Sequence, residues 1–268
     1  MPAIVIVRGA GDLASGVALR VHRAGLSVVM TELASPLAVR RTVSYAEAIY
    51  EGTIRVEEVS GRRVEDPTNT LKILNILAAR QIAVLVDPEC TSVRALRPLV
   101  IIDGRMTKRP PEALRHDAML YLGLGPGFRA PDNCHAVVET ERGHTLGRVI
   151  WQGTSLEDTA APEGDARRVL RAPAAGKVDS TAKIGEHFET GQIIASVANQ
   201  PILAPFPGIL RGVAHPGIMV EEGTKVGDVD PRDDPRLCEL ISDKSRAVGG
   251  GVLEAILTRP EVRAKLWA

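Results

Sequence analysis

Residues 4–32, IVIVRGAGDLASGVALRVHRAGLSVVMTE, decide the fold that the sequence predicts. Residues 4–7 form a continuous apolar run, which is typical of a buried parallel strand. Apolar residues then recur every four positions over 13–24, a spacing that indicates a helix ending just before Gly25. A second apolar run ends at Glu32. The stretch therefore predicts a strand–helix–strand unit of a parallel α/β sheet.

A glycine motif joins the first predicted strand to the helix. Residues 9–14, Gly-Ala-Gly-Asp-Leu-Ala, fit the Gly-x-Gly-x-x-Gly/Ala pattern of dinucleotide-binding loops. In such loops Gly9 would permit the tight turn, and Gly11 would leave room for a phosphate. Glu32 ends the second strand, where an acidic residue accepts hydrogen bonds from a ribose. The motif predicts binding of NAD(P) or another nucleotide; a tight turn that binds no nucleotide is the alternative.

Two further features extend this predicted site. Arg40 follows the second strand, where it would contact a 2′-phosphate or lie in a solvated loop. Residues 125–127, Gly-Pro-Gly, would expose backbone amides to an anion or form a structural turn. No catalytic residue or metal ligand is predicted, so whether the protein is an enzyme stays open. The predicted cofactor-binding residues are Gly9, Ala10, Gly11, Asp12, Leu13, Ala14, Glu32, Arg40, Gly125 and Gly127.

Later segments predict two more units. Strands at 82–86 and 99–103 and a β-hairpin over 136–150 complete a Rossmann-like doubly wound domain over 1–155. An internal repeat aligns residues 172–197 with 204–229, and it resembles the barrel-sandwich fold of biotinyl and lipoyl domains. We therefore predict an α/β fold with a barrel-sandwich module.

The boundaries of the second and third predicted units follow from a polar, turn-rich linker at 156–168 and from the internal repeat. The barrel-sandwich module spans 169–232, and its central joint at 198–203 has no Lys, which argues against a prosthetic-group carrier and favours partner docking. A helical segment over 236–268 is expected to pack back on the first domain. Three consecutive glycines at 249–251 indicate that this helix breaks or that its backbone approaches another segment closely.

Composition excludes several classes of protein. Lys plus Arg equals Asp plus Glu at 33 each, and aromatic residues make up 3%, so a nucleic-acid-binding surface is not expected. No apolar run approaches the roughly 20 residues of a membrane helix, and no signal peptide is recognised. Three widely spaced cysteines suggest neither disulfides nor a zinc site. We predict a cytoplasmic protein, with the oligomeric state open.

Other polar residues have open roles. Residues 103–108 follow a predicted parallel strand, at the edge where α/β proteins bind ligands, or they form a solvated loop. His135 and His144 flank the predicted hairpin. Residues 243–246 form either a charged helix face or a clamp on the nucleotide cleft. The residues whose roles stay open are Asp103, Arg105, Lys108, His135, His144 and Lys244.

Many short segments, in order and spacing, resemble one family along nearly the whole chain. That family is the selenium-dependent molybdenum hydroxylase system proteins, which are grouped with maturation factors of xanthine and CO dehydrogenases. The segments are 8–16 (RGAGDLASG), 31–32 (TE), 40–43 (RRTV), 48–52 (AIYEG), 123–128 (GLGPGF), 135–140 (HAVVET), 142–144 (RGH), 146–150 (LGRVI), 227–232 (GDVDPR) and 241–244 (ISDK).

The resemblance implies an accessory or maturation protein for a molybdenum hydroxylase partner. It also implies a Rossmann-type NAD(P)-binding region, whose anion cradle would suit a phosphate-bearing molybdopterin cofactor. Two alternatives remain at this point, a stand-alone NAD(P)-dependent oxidoreductase and a non-catalytic structural adaptor. The involvement of selenium stays open.

Overall fold

A computed structural model describes residues 3–107, 109, 117–157 and 164–267. The strands of its first half build one large mixed sheet and a separate small pair, β8 with β11. These strands are β1 (Ile4–Arg8), β2 (Ser27–Glu32), β3 (Thr53–Val56), β4 (Val59–Val64), β5 (Ile82–Val86), β6 (Val100–Asp103), β7 (Leu120–Leu124), β8 (Arg129–Ala130), β9 (Ala136–Val138), β10 (Val149–Ile150) and β11 (Gly153–Thr154).

Helices cover both faces of the large sheet. Short 3₁₀ turns at Arg41–Val43, Tyr45–Glu47, Ala166–Arg168 and Pro235–Cys238 supplement them. The α-helices are α1 (Asp12–Arg23), α2 (Ala48–Glu51), α3 (Thr70–Ala78), α4 (Val93–Leu96), α5 (Asp243–Thr258) and α6 (Pro260–Arg263). Within the described ranges, no helix is both long and apolar enough to cross a lipid bilayer.

The large sheet runs in the order β10-β9-β7-β6-β1-β2-β5-β4-β3. Strand β1 lies in the middle and pairs in parallel with β2 and β6. Its apolar run is buried on both faces because side chains alternate between them. Val5 and Val7 pack beneath α1 and α5, whereas Ile4 and Ile6 pack with the residues of α3 and α4.

The predicted fold class, a Rossmann-like doubly wound sheet with a biotinyl- or lipoyl-like barrel sandwich, is wrong. The large sheet is mixed, because β3 pairs antiparallel with β4 and β10 pairs antiparallel with β9 at its two edges. The face that carries α1 is completed by α5, from the far end of the chain, and not by a helix that connects consecutive strands. The observed class is a mixed α/β fold with a large mixed sheet.

Residues 169–230 form two four-stranded antiparallel sheets, β12-β19-β17-β14 and β16-β15-β13-β18. The halves of the repeat are interleaved, because β14 pairs with β17 and β13 pairs with β18. The domain division at 1–155, 169–232 and 236–268 stays a prediction. The strands are β12 (Val169–Arg171), β13 (Gly176–Asp179), β14 (His187–Phe188), β15 (Ile193–Val197), β16 (Gln200–Leu203), β17 (Gly208–Val213), β18 (Met219–Val220) and β19 (Lys225–Asp230).

The three glycines at 249–251 do not break α5, which is continuous from Asp243 to Thr258. Gly249 and Gly251 instead permit α5 to approach α1 and the backbone at residue 147 closely. A Cβ at Gly249 would meet the side chain of Arg20 and the backbone of α1, and a Cβ at Gly251 would overlap the carbonyl oxygen of Gly147. Gly250 has more space around it, because the nearest atom is Nη2 of Arg20 at 3.9 Å.

Substituting Gly250 and Gly251 by Ala should distinguish two effects on stability, the steric contact of an added methyl group and the higher helix propensity of Ala. Gly251→Ala is expected to lower the free energy of unfolding by about 1–3 kcal/mol, since the methyl group would force the 147 carbonyl and Val138 to move. Gly250→Ala is the matched control, and it should leave stability unchanged or raise it by up to about 1 kcal/mol. Urea denaturation measures both, and equal losses in the two variants would contradict the packing argument.

Candidate functional site

A crevice of about 480 Å³ opens at the carboxyl ends of β1, β2 and β6. Its walls come from the β1–α1 loop, the end of β2, and residues 36–38, 88–89 and 104–107. Strand β1 has β2 on one side and β6 on the other, so the strand order reverses here. Open α/β sheets bind ligands at such a reversal.

The structure brings six of the predicted cofactor-binding residues to this crevice. A seventh, Ala10, is fully buried next to it. Arg40, Gly125 and Gly127 do not line it. The six lining residues are Gly9, Gly11, Asp12, Leu13, Ala14 and Glu32.

Glu32 folds back on the glycine loop. Its Oε2 accepts a hydrogen bond of 2.6 Å from the N–H of Ala10, and its Oε1 accepts one of 2.8 Å from the N–H of Leu33. Burial raises the pKa of the Glu32 carboxyl, because desolvation outweighs the two amide donors. The carboxylate thus occupies part of the anion-binding capacity of the loop, and both of its oxygens already have partners.

Arg40 is directed away from the crevice. It is 6% exposed, and its Nη1 lies 3.0 Å from Oδ2 of Asp12. Its Nη2 donates to the carbonyl oxygens of Leu237 and Leu240, at 3.1 and 2.9 Å. The guanidinium therefore joins the start of α1 to the segment before α5 and is not arranged to receive a 2′-phosphate.

The second glycine loop forms a tight turn. Gly125 and Gly127 both have positive φ, 72° and 97°. The N–H of Gly125 donates to the carbonyl of Val138 at 3.0 Å, and a Cβ at Gly127 would lie 2.5 Å from the carbonyl oxygen of Arg109. This turn connects β7 to the segment beside β9, so its glycines serve backbone geometry.

A buried polar network lies beneath one wall of the crevice. Asp103, which is 1% exposed, forms an ion pair with Arg8 at 3.3 Å and accepts from the hydroxyl of Tyr121 at 2.8 Å. Burial and the Asp103 carboxylate raise the pKa of Tyr121. Arg105 lines the crevice and donates to both carboxylate oxygens of Asp103, at 3.0 and 2.8 Å. Much of its charge is therefore neutralised.

Three other residues with open roles, His135, His144 and Lys244, lie away from the crevice. His135 accepts a hydrogen bond at Nδ1 from the N–H of Tyr121, at 2.8 Å. His144 is exposed, and Lys244 is half-buried in the first turn of α5. Lys108 lies outside the described residues.

The charge of the crevice contradicts the predicted cofactors. Its described lining carries three carboxylates, Asp12, Glu32 and Glu89, and the single guanidinium of Arg105. Carboxylates repel phosphate groups in the same crevice, so a ligand with several phosphate charges is disfavoured here. Glu32, the expected ribose acceptor, is engaged by Ala10 and Leu33. We therefore correct the prediction of NAD(P), another nucleotide or molybdopterin as cofactor.

The sequence patterns did not indicate a second cluster, formed by Glu47, Glu51 and His215. One ligand atom from each lies within 4.8 Å of the others. The four-residue spacing of the two glutamates is a usable signal, because such residues share one helix face. His215 comes from a distant part of the chain, so only the fold brings it to them. The crevice residue Glu89 was likewise missed, since it lies in a loop without a motif.

The comparisons with known proteins identify no characterised family. No protein-family model matches the chain. The uncharacterized protein YqeB of Escherichia coli K12 is 42% identical over 258 residues, which cover 95% of this chain and 47% of YqeB. The chain therefore spans about half the length of the curated relative that it matches.

Two solved structures align at low TM-scores. An aspartoacylase family protein of Mesorhizobium loti has a TM-score of 0.28 and 10% identity, covering 85% of this chain and 84% of that protein. A succinylglutamate desuccinylase/aspartoacylase of Rhodobacter sphaeroides has a TM-score of 0.26 and 12% identity, covering 85% of each chain. Similarity at this level assigns neither a fold nor an activity to this chain.

These findings contradict the predicted family and its functions. The relative that shares 42% identity, YqeB, is not described as a molybdenum hydroxylase accessory protein. The maturation role, and with it the alternatives of an NAD(P)-dependent oxidoreductase and a structural adaptor, are therefore not retained. The geometry agrees with this correction, because Glu32 and Arg40 are both engaged in internal contacts.

The raised pKa of Glu32 predicts a pH-dependent effect on stability. The folded state disfavours the carboxylate, so the wild-type free energy of unfolding should fall as pH rises from the ordinary pKa of 4.5 through the folded pKa. Glu32→Gln lacks this titration, and its stability relative to wild type should increase over the same interval and then level off. Urea denaturation across that pH range, with exposed Glu222→Gln as control, measures the difference. A flat difference for Glu32→Gln would refute the burial argument.

Proposed function

We propose that the protein binds a small dipolar metabolite, with one carboxylate and one amino group, in the crevice at the ends of β1, β2 and β6. The observation that carries this proposal is the presence of two opposite electrostatic poles in one cavity. The N-terminus of α1, which no side chain caps, forms one pole, and the carboxylate of Glu89 forms the other.

The N-terminus of α1 suits a single carboxylate. Gly11 is the N-cap residue, and no side chain caps the helix at this position. A Cβ at Gly11 would meet no atom within 4 Å, so the first turn faces open space. Helix N-termini carry N–H groups without intrahelical partners and a partial positive charge, both of which favour an anion.

The acidic residues suit an amino group. Glu89 is exposed in the crevice, and an ammonium group would relieve the net negative charge of the lining. A cavity of about 480 Å³ lies within the roughly 300–1,000 Å³ of small-molecule sites. Leu13, Leu37 and Met106 supply apolar surface for the carbon skeleton of the ligand.

Glu32 is the group of this lining best suited to exchange a proton with the ligand. Its raised pKa brings the carboxyl closer to neutral pH, which favours general acid–base chemistry. Its hydrogen bond to Ala10 also couples its protonation to the glycine loop that contacts the ligand. This feature supports a role in substrate handling in addition to binding.

Binding measurements with sets of three related ligands test the proposal of two opposite poles. Each set, or triplet, comprises an amino acid, the matching acid without the amino group and the matching amine without the carboxylate. We expect the amino acid of at least one triplet to raise the melting temperature, because ligands that bind only the folded state stabilise it. Its affinity by calorimetry should exceed that of each partial ligand by about tenfold. Equal binding of the acid alone, or no binding across a broad set of triplets, would refute the proposal.

Variants locate the binding in the crevice. Gly11→Val fills the open space at the start of α1 and should abolish binding while the protein stays folded. Glu89→Gln should lower the affinity for the amino acid by about fivefold to tenfold, as expected for a lost charge-assisted hydrogen bond. Exposed Glu222→Gln is the matched control and should change nothing. Unchanged affinity in Gly11→Val would place the ligand elsewhere.

A cytoplasmic location is part of this proposal. Cys90, Cys134 and Cys238 are buried and free of disulfide bonds. Burial raises the pKa of Cys90 to about 11 and also raises the pKa of Cys238. Buried thiols of this kind suit a reducing compartment. Fractionation of cells that express the full-length protein tests this location.

A further inference from the structure

A cluster of three side chains joins α2 to the small antiparallel sheets. Glu47 precedes α2 directly, Glu51 ends it, and His215 lies just after β17. One potential ligand atom from each lies within 4.8 Å of the others. Glu51 is the most accessible member, with its side chain 60% exposed, and His215 is 23% exposed. The cluster lies outside the crevice described above.

One carboxylate oxygen of the buried Glu47 has no hydrogen-bond partner among the described residues. It is 5% exposed, and its Oε1 accepts from Nη1 of Arg41 at 2.6 Å. Its Oε2 is buried and accepts no hydrogen bond from the residues that the structure describes. A buried carboxylate oxygen without a partner loses the hydrogen bonds that it would make to water, which is destabilising. A cation in the cluster would supply the missing interaction.

The ring of His215 is oriented for coordination. Nδ1 lies 2.8 Å from the carbonyl oxygen of Pro216, and since a carbonyl can only accept, Nδ1 carries the proton. The opposite nitrogen, Nε2, lies 3.6 Å from Oε1 of Glu51. Two lone pairs would repel at this point unless a proton or a metal ion lies between them. Histidines that bind metals commonly donate their other N–H to a backbone carbonyl, as His215 does.

Aromatic stacking fixes the same ring. The rings of Tyr50 and His215 are 4.0 Å apart and tilted by only 12°. Tyr50 is itself held by a hydrogen bond from its hydroxyl to the carbonyl of Pro36, at 2.8 Å. The imidazole therefore has little freedom to turn away from the two carboxylates, which lowers the entropic cost of binding an ion.

From these contacts we infer that Glu47, Glu51 and His215 bind a divalent transition-metal ion, with Zn²⁺ preferred over Mn²⁺ and Mg²⁺. One imidazole nitrogen and two carboxylate oxygens form a donor set that suits Zn²⁺ and leaves a coordination position open. Mg²⁺ prefers oxygen ligands alone. The Arg41 guanidinium offsets one of the two carboxylate charges, so the affinity should be moderate.

Calorimetry on the full-length chain, stripped with a chelator and dialysed, tests the inference. We expect one Zn²⁺ per chain, weaker binding of Mn²⁺ and little binding of Mg²⁺. His215→Ala and Glu51→Gln should each weaken Zn²⁺ at least tenfold, and exposed His144→Ala should leave the affinity unchanged. Zn²⁺ should also raise the melting temperature of the wild-type protein but not that of Glu51→Gln.

Three results would overturn the inference. These are an absence of Zn²⁺ binding, binding that survives both variants, and a histidine resonance showing that His215 is a stable imidazolium paired with Glu51 at neutral pH. Glu51 is mostly exposed, so Glu51→Gln decides the question even if His215→Ala fails to fold. Replacing Zn²⁺ with Co²⁺ adds an independent readout. The visible absorption bands of bound Co²⁺ should indicate a nitrogen ligand in the wild-type protein, and this signature should be lost in His215→Ala.

Discussion

The close approach of α5 to α1 is the constraint on which the rest of the structure depends. At Gly16 a Cβ would overlap the side chain of Ser245, and at Gly249 it would overlap Arg20. The helices therefore meet almost backbone to backbone and bury their apolar faces on the same side of the sheet. The contact also holds the Oγ of Ser245 3.5 Å from Asp12. The last helix of the chain thus fixes the start of the helix that forms one wall of the crevice.

Residues 40–42 extend this constraint to the antiparallel sheets. Arg40 contacts the carbonyls before α5, and the hydroxyl of Thr42 donates to the carbonyl of Cys238 at 2.5 Å. Between them, Arg41 donates through Nε to the carbonyl of Val213 at 2.8 Å, and through Nη1 to Glu47. Three consecutive side chains therefore join three parts of the chain. The Arg40 guanidinium is buried and donates through both Nη1 and Nη2, so these contacts help to fix the relative position of those parts.

Local sequence patterns predicted those elements whose burial follows from their own residues. The run at 4–7 and the spacing over 13–24 correspond to β1 and α1, and the hairpin expected over 136–150 is confirmed by the pairing of β9 with β10. The β3–β4 hairpin was not predicted, because its strands are short and carry many polar residues. The antiparallel edge that this hairpin adds to the large sheet was therefore missed as well.

The candidate site was predictable in position but not in chemistry. The motif at 9–14 located the crevice, because a glycine turn after a buried strand must open at the carboxyl edge of the sheet. The hydrogen bond between the Glu32 carboxylate and the N–H of Ala10 was not predictable from the sequence. The positive φ of Gly9, 87°, turns the N–H of Ala10 toward that carboxylate, and this depends on the exact path of the loop. His215 has no local signature at all, since its neighbours in space come from α2.

One hydrogen bond and one stacked ring pair connect the crevice to the Glu47–Glu51–His215 cluster. Pro36 lines the crevice, its carbonyl accepts from Tyr50, and Tyr50 stacks on the imidazole of His215. An ion that fixes His215 would therefore also restrain one wall of the crevice through Tyr50. The charges of the two sites nevertheless come from different elements, with Glu89 after β5 and Glu51 at the end of α2. Because those glutamates do not contact the same ligand, substituting one leaves the chemistry of the other site intact, and binding at each site can be measured separately.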